Sequence, residues 1–305
     1  MMKTITVICF LILSICLAGQ EGLVITGKVT NKTTGEPISY ATIVFIGKVP
    51  VGTTSDIAGN YRLRIPDISA GERLQISCIG YNDTAIPVAR LSSEIDFSLE
   101  PKVYSGPEVT VRPSRSTPFS IGPQSNTIAL DHNGEPLAYV FSHHGINLGV
   151  YVMPSRQQVG SLITSIDYFI ANRGPIDAPF LLRILLPDQQ PKEAAHVKIS
   201  DCYDILDQKI VFRSTKRGWN TLELKDYDIR LPDSPFFLLF IPVDEGEQSV
   251  WYENGEKRVG SVLGIFSTIR VRQMKWAVDA RGRLAYLTEL FPTIPAMIIN
   301  CGDGL

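Results

Sequence analysis

The sequence predicts an all-β protein built from two β-sandwiches. Most apolar segments are short, rich in β-branched or aromatic residues, and bounded by Gly, Pro, Asn or Asp. Several alternate apolar and polar residues, as strands with one buried face do. Few stretches show the spacing of an amphipathic helix, while 44% hydrophobic residues are enough to build cores. We therefore expect an N-terminal β-sandwich followed by a jelly-roll-like β-sandwich.

The first half contains clear strand patterns. Strands are predicted at residues 24–30, 41–46, 61–65, 73–79 and 95–99. In the last of these, Ile95, Phe97 and Leu99 share one face, and the residues between them are polar. One face of each strand is therefore expected to line a core.

The stretch VGTTSDIAGNYRLRIP, residues 51–66, raises the question of a ligand site. A calcium loop needs several oxygen ligands at fixed intervals and a distal Glu, but only Asp56 and Asn60 are suitably placed. Gly59 can adopt positive φ, and Asp or Asn side chains bond local backbone groups in turns. We predict a turn before a strand, not a metal site.

Four segments in this half, taken in order, resemble a known family. They read GKVTNKTTGEPISYATIVFIG, GTTSDIAGNYRLRIP, LQISCIGYND and IDFSLEP. Over residues 22–112 the chain resembles the carboxypeptidase regulatory-like domain. The resemblance implies a transthyretin-like (prealbumin-like) β-sandwich that serves as a non-catalytic accessory module. It also implies an exported bacterial protein of the Bacteroidota type, and it supplies no catalytic residues.

The second half is predicted to be a separate domain. Residues 113–126 are rich in Pro and Ser and are interpreted as a linker or the lead-in to a domain at residues 127–305. Two predicted strands each have an apolar face, one between Leu162 and Ile170 and the other between Phe180 and Leu186. Further strands are predicted at 209–213, 221–224, 236–241, 261–266, 275–278, 284–287 and 297–300. The stretch GWNTLELKDYDIRLPDSPFFLLFIPVD loosely resembles C-terminal sandwiches of uncharacterised exported proteins, which implies no activity.

The N-terminus is typical of a secretory signal peptide. Lys3 precedes an apolar run that ends near small residues, so residues 1–20 are expected to be removed on export to the periplasm or cell surface. A lipid anchor through Cys16 is the alternative, although Ile15 is bulky for the position before a lipidated cysteine. No later stretch stays apolar for the ~20 residues that a membrane span needs.

Charge and cysteine content narrow the possible partners. The net charge is −2 without a basic stripe, so nucleic acid is not expected as a partner. Cys78 continues a strand pattern and is predicted to be a buried core thiol. Cys202 and Cys301 either pair in an oxidising compartment or remain thiols.

Two groups of residues could support a hydrolase in the C-terminal domain. His132 and Glu135 match the H-x-x-E of zinc peptidases, with His143, His144 or His196 as the third ligand. However, the Asn133-Gly134 pair between them predicts a hairpin turn. The carboxylate groups that could act in a glycosidase are Asp226, Asp228, Asp244 and Glu245. We predict no catalytic residues, metal or cofactor, and keep a zinc peptidase or glycosidase as the alternative.

Aromatic residues offer the best binding candidates. They are Trp219, Trp251, Tyr252 and Trp276, all in or near predicted loops and strand ends. Sugars stack on exposed aromatic faces, while the alternative is that these rings fill the core. The sequence therefore predicts a non-catalytic binding or structural module of the bacterial cell envelope, whose partner is a glycan or an envelope protein.

Overall fold

The computed structural model describes most of the chain outside its first residues and several loops. The described residues are 22–47, 51–65, 68, 71–78, 80–102, 117–123, 127–139, 146–192, 197–206, 208–243, 245, 247–266, 273–280, 283–287 and 294–302. The expected signal peptide, Cys16, His143, His144, His196 and Asp244 lie outside them. None of the described helices is long and apolar enough to cross a membrane.

The N-terminal residues form two small sheets. Their strands are β1 (Leu23–Asn31), β2 (Thr42–Gly47), β3 (Val51–Thr54), β4 (Asn60–Ile65), β5 (Gly71–Ser77), β6 (Thr84–Pro87) and β7 (Phe97–Leu99), and a 3-10 turn covers Val88–Arg90. One sheet runs in the order β4-β1-β7 and the other in the order β3-β2-β5-β6. The β1–β7 pair is parallel, while the other pairs are antiparallel. The two sheets enclose one apolar cluster, which contains Ile25, Phe45, Leu63, Ile76 and Leu99.

The alternation predicted for residues 61–65 is confirmed in β4. Tyr61, Leu63 and Ile65 are buried, and Arg62 and Arg64 between them are exposed. The β-branched and aromatic residues thus fit a half-buried pleated surface, with their polar neighbours in water.

The turn predicted before β4 is also present. The Asp56 carboxylate accepts hydrogen bonds from the Asn60 backbone N–H at 2.8 Å and from its amide nitrogen at 3.3 Å. Gly59 has a φ of +81°, and a Cβ there would lie 2.6 Å from the carbonyl oxygen of Val29. The acidic residue and the glycine therefore serve the turn itself.

The C-terminal residues form two larger sheets and one separate hairpin. The strands are β8 (Phe119–Ile121), β9 (Ala138–Tyr139), β10 (Ile146–Val152), β11 (Leu162–Ile170), β12 (Phe180–Pro187), β13 (Val197–Lys198), β14 (Cys202–Asp204), β15 (Ile210–Phe212), β16 (Gly218–Glu223), β17 (Phe236–Pro242), β18 (Val250–Glu253), β19 (Glu256–Val259), β20 (Leu263–Phe266), β21 (Met274–Ala280), β22 (Arg283–Leu287), β23 (Ile294–Pro295) and β24 (Met297–Gly302). Single 3-10 turns cover Ile199–Asp201, Lys225–Tyr227 and Glu247–Ser249.

These strands stack as a sandwich. The described strands of the larger sheet follow the order β13-β22-β21-β10-β17-β12-β14, with β15 also paired to β12. Those of the facing sheet follow β23-β20-β11-β24-β8, with β16 on β11 and β9 on β20. The main core lies between them and includes Tyr168, Phe180, Phe240 and Phe266. The all-β sandwich class predicted from the sequence is confirmed.

The larger sheet is buried on both faces, which strict alternation would not predict. In β17, Phe236, Leu238 and Phe240 join the main core. Phe237, Leu239 and Ile241 join a second cluster on the outer face. A continuous apolar run is the pattern of a strand covered on both sides. Tyr40, from the N-terminal sandwich, belongs to this outer cluster, so the outer cluster includes residues of both sandwiches.

Several details differ from the sequence predictions. The sequence prediction omitted strands β3, β6 and the central strand β10. Phe119–Ile121, within the stretch interpreted as a linker, pairs with β24 of the C-terminal sheet.

The three cysteines among the described residues are thiols. Cys202 lies in the outer cluster and Cys301 in the main core, so the disulfide considered for them does not form. Cys78, predicted to be buried, is half-buried. It follows the last residue of β5, packs against the N-terminal apolar cluster and also lines a crevice.

Candidate binding surfaces

The β18–β19 hairpin presents the most exposed of the predicted aromatic residues. Asn254 and Gly255 form its tip with φ of 50° and 80°, as a two-residue turn with positive φ at both positions requires. Tyr252 is 71% exposed. Its phenol ring stands on a two-stranded ribbon outside the two large sheets.

Trp251 lies on the opposite face of the same hairpin, because successive strand residues point to opposite sides. It packs against Gly174, where a Cβ would lie 2.9 Å from the indole Nε1. That Nε1 is buried and has no hydrogen-bond partner among the described residues. Trp251 therefore anchors the hairpin through its buried indole edge, and its role in ligand binding stays a prediction.

Ion pairs hold the hairpin in place. Glu253 pairs with Arg173 at 3.1 Å and with Arg258 at 3.7 Å. The neighbouring Asn172 donates to the Glu135 carboxylate at 2.8 Å. The Glu253–Arg173 pair and the Asn172–Glu135 bond connect the hairpin to the Asp131 turn, and the Tyr252 side chain beside them is exposed to solvent.

The other two predicted aromatics lie in strands β16 and β21. Trp219 is half-buried against the main core, with its ring 5.7 Å from those of Phe169 and Phe266. A role for Trp219 in ligand binding stays a prediction. Trp276 lies in β21, opposite Val150 of β10, and its side chain is outside the described residues.

The candidate catalytic residues have structural partners. Asp131 accepts hydrogen bonds from the backbone of Asn133 and Glu135, so the H-x-x-E segment is a turn, with His132 exposed at it. Within the described parts of the chain, no three His, Cys, Asp or Glu side chains are placed to hold a metal ion.

Three of the four carboxylates considered for a glycosidase are described, and they lie at the surface. Asp228 pairs with Arg230 at 2.7 Å, and Glu245 forms a short ion pair with Arg213. Asp226 is exposed on the 3-10 turn of Lys225–Tyr227. These contacts tie loops together.

A crevice between the two sandwiches was not predicted. It has a volume of about 340 Å³, within the ~300–1,000 Å³ typical of small-molecule sites. The N-terminal sandwich contributes Ser39, Tyr40, Cys78 and Gly80, while the C-terminal sandwich contributes Leu181, Leu182, Arg183, Tyr203, Asp204, Leu206, Gln208 and Lys209. The only sequence signal was Arg183, a charge inside the otherwise apolar strand FLLRILLP.

Charged groups line this crevice. Arg183 Nε donates to Asp204 at 2.7 Å, and only 12% and 11% of the two side chains are exposed. Lys209 Nζ donates to the Ser39 carbonyl at 2.9 Å and to its hydroxyl, and lies 5.5 Å from the Tyr40 ring centroid. Lys209 is exposed as a residue, yet partial burial of its ammonium lowers its pKa. The positive charge of Arg183 lowers the pKa of Lys209 further, whereas Cys78 raises it. Lys209 and Arg183 are therefore close enough to repel each other.

Comparison with known proteins finds a family match within the N-terminal residues. Residues 25–111 match the model of the family described as CarboxypepD_reg-like domain, in agreement with the resemblance drawn over residues 22–112. No curated protein matches the chain. Among solved structures, a protein of Bacteroides uniformis ATCC 8492 provisionally described as carbohydrate-binding is 9% identical, with 91% of this chain and 97% of that chain covered. Its TM-score is 0.22, which is too low to support an argument.

Proposed function

We propose that this chain is a non-catalytic binding module that recognises a glycan by stacking it on Tyr252. The observation that carries the proposal is the exposed phenol ring on a hairpin fixed by Trp251 and by the ion pairs of Glu253. An aromatic face offers apolar contact to the C–H surface of a sugar, and nearby polar groups fix its orientation. Arg173 and Asn172, both exposed beside the hairpin, are such groups.

The test is retardation of the full chain in native gels that contain one soluble polysaccharide each, from a panel of neutral and acidic polymers. Tyr252→Ala should weaken binding about tenfold, equivalent to about 1.4 kcal/mol. Tyr252→Phe, which keeps the ring, should retain binding. Tyr227→Ala removes another exposed tyrosine, on a 3-10 turn, and serves as the matched control. Equal mobility of wild type and Tyr252→Ala in every gel would contradict the proposal.

A partner protein is the second candidate, since two large apolar side chains are exposed at the Asp131 turn. Leu130 is 56% exposed and Leu137 is 39% exposed. Unpaired apolar surface of this kind occurs at protein interaction sites. Adhesion to bacterial cells that is lost in Leu130→Ser and kept in Tyr252→Ala would favour this candidate over the glycan.

The proposed place of action is the cell envelope, reached through the signal peptide predicted at residues 1–20. The intact mass of the exported protein distinguishes the two predicted processing routes. Cleavage after residues 18–20 leaves an unmodified soluble chain. Cleavage before Cys16 with an added lipid mass would support anchoring instead.

A further inference from the structure

The crevice between the sandwiches carries cationic donors that the fold leaves available. Asp204 Oδ2 accepts from Arg183 Nε, and its Oδ1 accepts from the backbone N–H groups of Ile184 and Leu206. Both oxygens of the only acidic side chain among the described lining residues are thus engaged. Among the described residues, Arg183 has no other hydrogen-bond partner than Asp204, so its terminal nitrogens are available.

Charge in the crevice is therefore unbalanced. Lys209 and Arg183 contribute two positive charges against the one negative charge of Asp204. A planar guanidinium and an ammonium facing the same small space are the groups that proteins use to hold carboxylates. An anionic ligand would relieve the repulsion between the two cations.

The remaining walls are those of a sugar site. Tyr40 and Tyr203 are among the residues that line the crevice, together with Ser39 and Gln208. Aromatic and apolar walls with a few convergent hydrogen-bonding groups match small polyhydroxylated ligands.

The geometry points to a second binding site in this crevice, which takes a small acidic sugar whose carboxylate binds Arg183 and Lys209. Because the crevice lining does not include Tyr252, this inference does not rest on the proposed hairpin function. The ligand contacts residues of both sandwiches, so its binding bridges them.

The structure provides an internal reporter for this site. Cys78 lines the crevice and is half-buried, whereas Cys202 and Cys301 are buried in apolar clusters. A thiol reagent should therefore modify Cys78 faster than the two buried cysteines, and an occupied crevice should protect it. Peptide mapping by mass spectrometry reads each cysteine of the full chain separately.

The test combines calorimetric titration with this protection assay, using sodium glucuronate, glucose and sodium acetate at one ionic strength. Glucuronate should bind saturably and protect Cys78, while glucose and acetate should do neither. Oligogalacturonate is then titrated to tell two kinds of acidic-sugar site apart. A site for the end of a sugar chain should bind the oligomer at least as tightly as glucuronate, whereas a site for the free sugar should bind the oligomer more weakly.

Variants separate the site from nonspecific charge. Lys209→Gln should weaken glucuronate binding at least tenfold, whereas Lys225→Gln makes the same charge change on an exposed turn and should have no effect. Arg183→Lys keeps the charge beside Asp204 and should weaken binding with the fold intact. Tyr252→Ala should leave this binding unchanged. Equal binding of acetate or glucose, or equal affinity of wild type and Lys209→Gln, would overturn the inference.

Discussion

Hydrogen bonds of Ser55 stabilise the loop that contains Tyr40, and removing its hydroxyl should lower the free energy of unfolding. The buried Ser55 hydroxyl donates to the Ile38 carbonyl at 2.8 Å and accepts from the Ala41 N–H at 2.9 Å. Its backbone also bonds those of Tyr40 and Ala41. Tyr40 has a φ of 60°, a strained conformation for a residue with a Cβ. The hydroxyl therefore stabilises a loop that would otherwise relax.

Ser55→Ala leaves one buried N–H and one buried carbonyl without the hydroxyl as partner. Each unsatisfied buried group costs about 1–3 kcal/mol, so for two groups we expect a loss of about 2–6 kcal/mol in the free energy of unfolding. That is a large part of the ~5–15 kcal/mol available to a typical protein. Ser92→Ala is the matched control, because Ser92 makes a comparable bond to the Glu94 carbonyl at 2.7 Å in an exposed position.

Urea unfolding can assign this loss to one sandwich. All three tryptophans, Trp219, Trp251 and Trp276, lie in the C-terminal part of the chain. Their fluorescence should report a nearly unchanged transition, while hydrogen exchange of peptides that span Ile38 to Ser55 should accelerate in Ser55→Ala. The reasoning is refuted if hydrogen exchange of those peptides gives free energies of unfolding for Ser55→Ala and Ser92→Ala within about 0.5 kcal/mol of each other, since water would then replace the buried bonds freely.

Three other predictions follow from single sites. Gly59→Ala should destabilise the chain by at least about 1 kcal/mol more than Gly35→Ala in urea unfolding, because both glycines have positive φ but only Gly59 meets backbone atoms. Arg183→Met should cost about 3–5 kcal/mol by leaving a buried carboxylate unpaired, while Arg230→Met at an exposed pair should cost less than about 1 kcal/mol; similar costs would contradict the burial argument. Burial raises the pKa of the Cys301 thiol to about 12, well above that of an exposed thiol, so the folded state keeps its proton to higher pH than the unfolded state does. The stability of the fold should therefore fall as pH rises from about 9 to 12. Cys301→Ala should flatten that alkaline slope by up to about 1.4 kcal/mol per pH unit, and an unchanged slope would contradict the assignment.

Strands with a regular side-chain pattern could be predicted from the sequence. Residues 61–65 alternate because one face meets the core and the other meets water. Residues 236–241 are apolar throughout because both faces are covered. In each case the pattern reflects the environment of one strand, so no knowledge of its partners is needed.

The strand β10 was missed for a physical reason. Gly149 lies in its middle, and glycine disfavours strand interiors. The structure shows why it is there: a Cβ at Gly149 would lie 2.0 Å from the Leu238 carbonyl oxygen of the paired strand. The close approach of the two backbones requires glycine at position 149, and the periodicity of the sequence carries no information about such a contact.

The candidate sites depended on tertiary structure. Sequence identified Tyr252 and Trp251 together, but only their placement on opposite hairpin faces separates the exposed ring from the anchor. The crevice joins Ser39 and Tyr40 to Arg183 and residues near position 209, which are far apart in the chain. No local pattern encodes that approach.

The position of Tyr40 limits which domains could replace the N-terminal sandwich during evolution. Its ring belongs to the apolar cluster on the outer face of the larger sheet, with Phe237 and Leu239. A gene fragment encoding the second sandwich alone would expose part of that surface and favour self-association. The N-terminal sandwich thus covers an apolar surface of the C-terminal one. A different domain in its place would have to supply an aromatic side chain that covers the same surface.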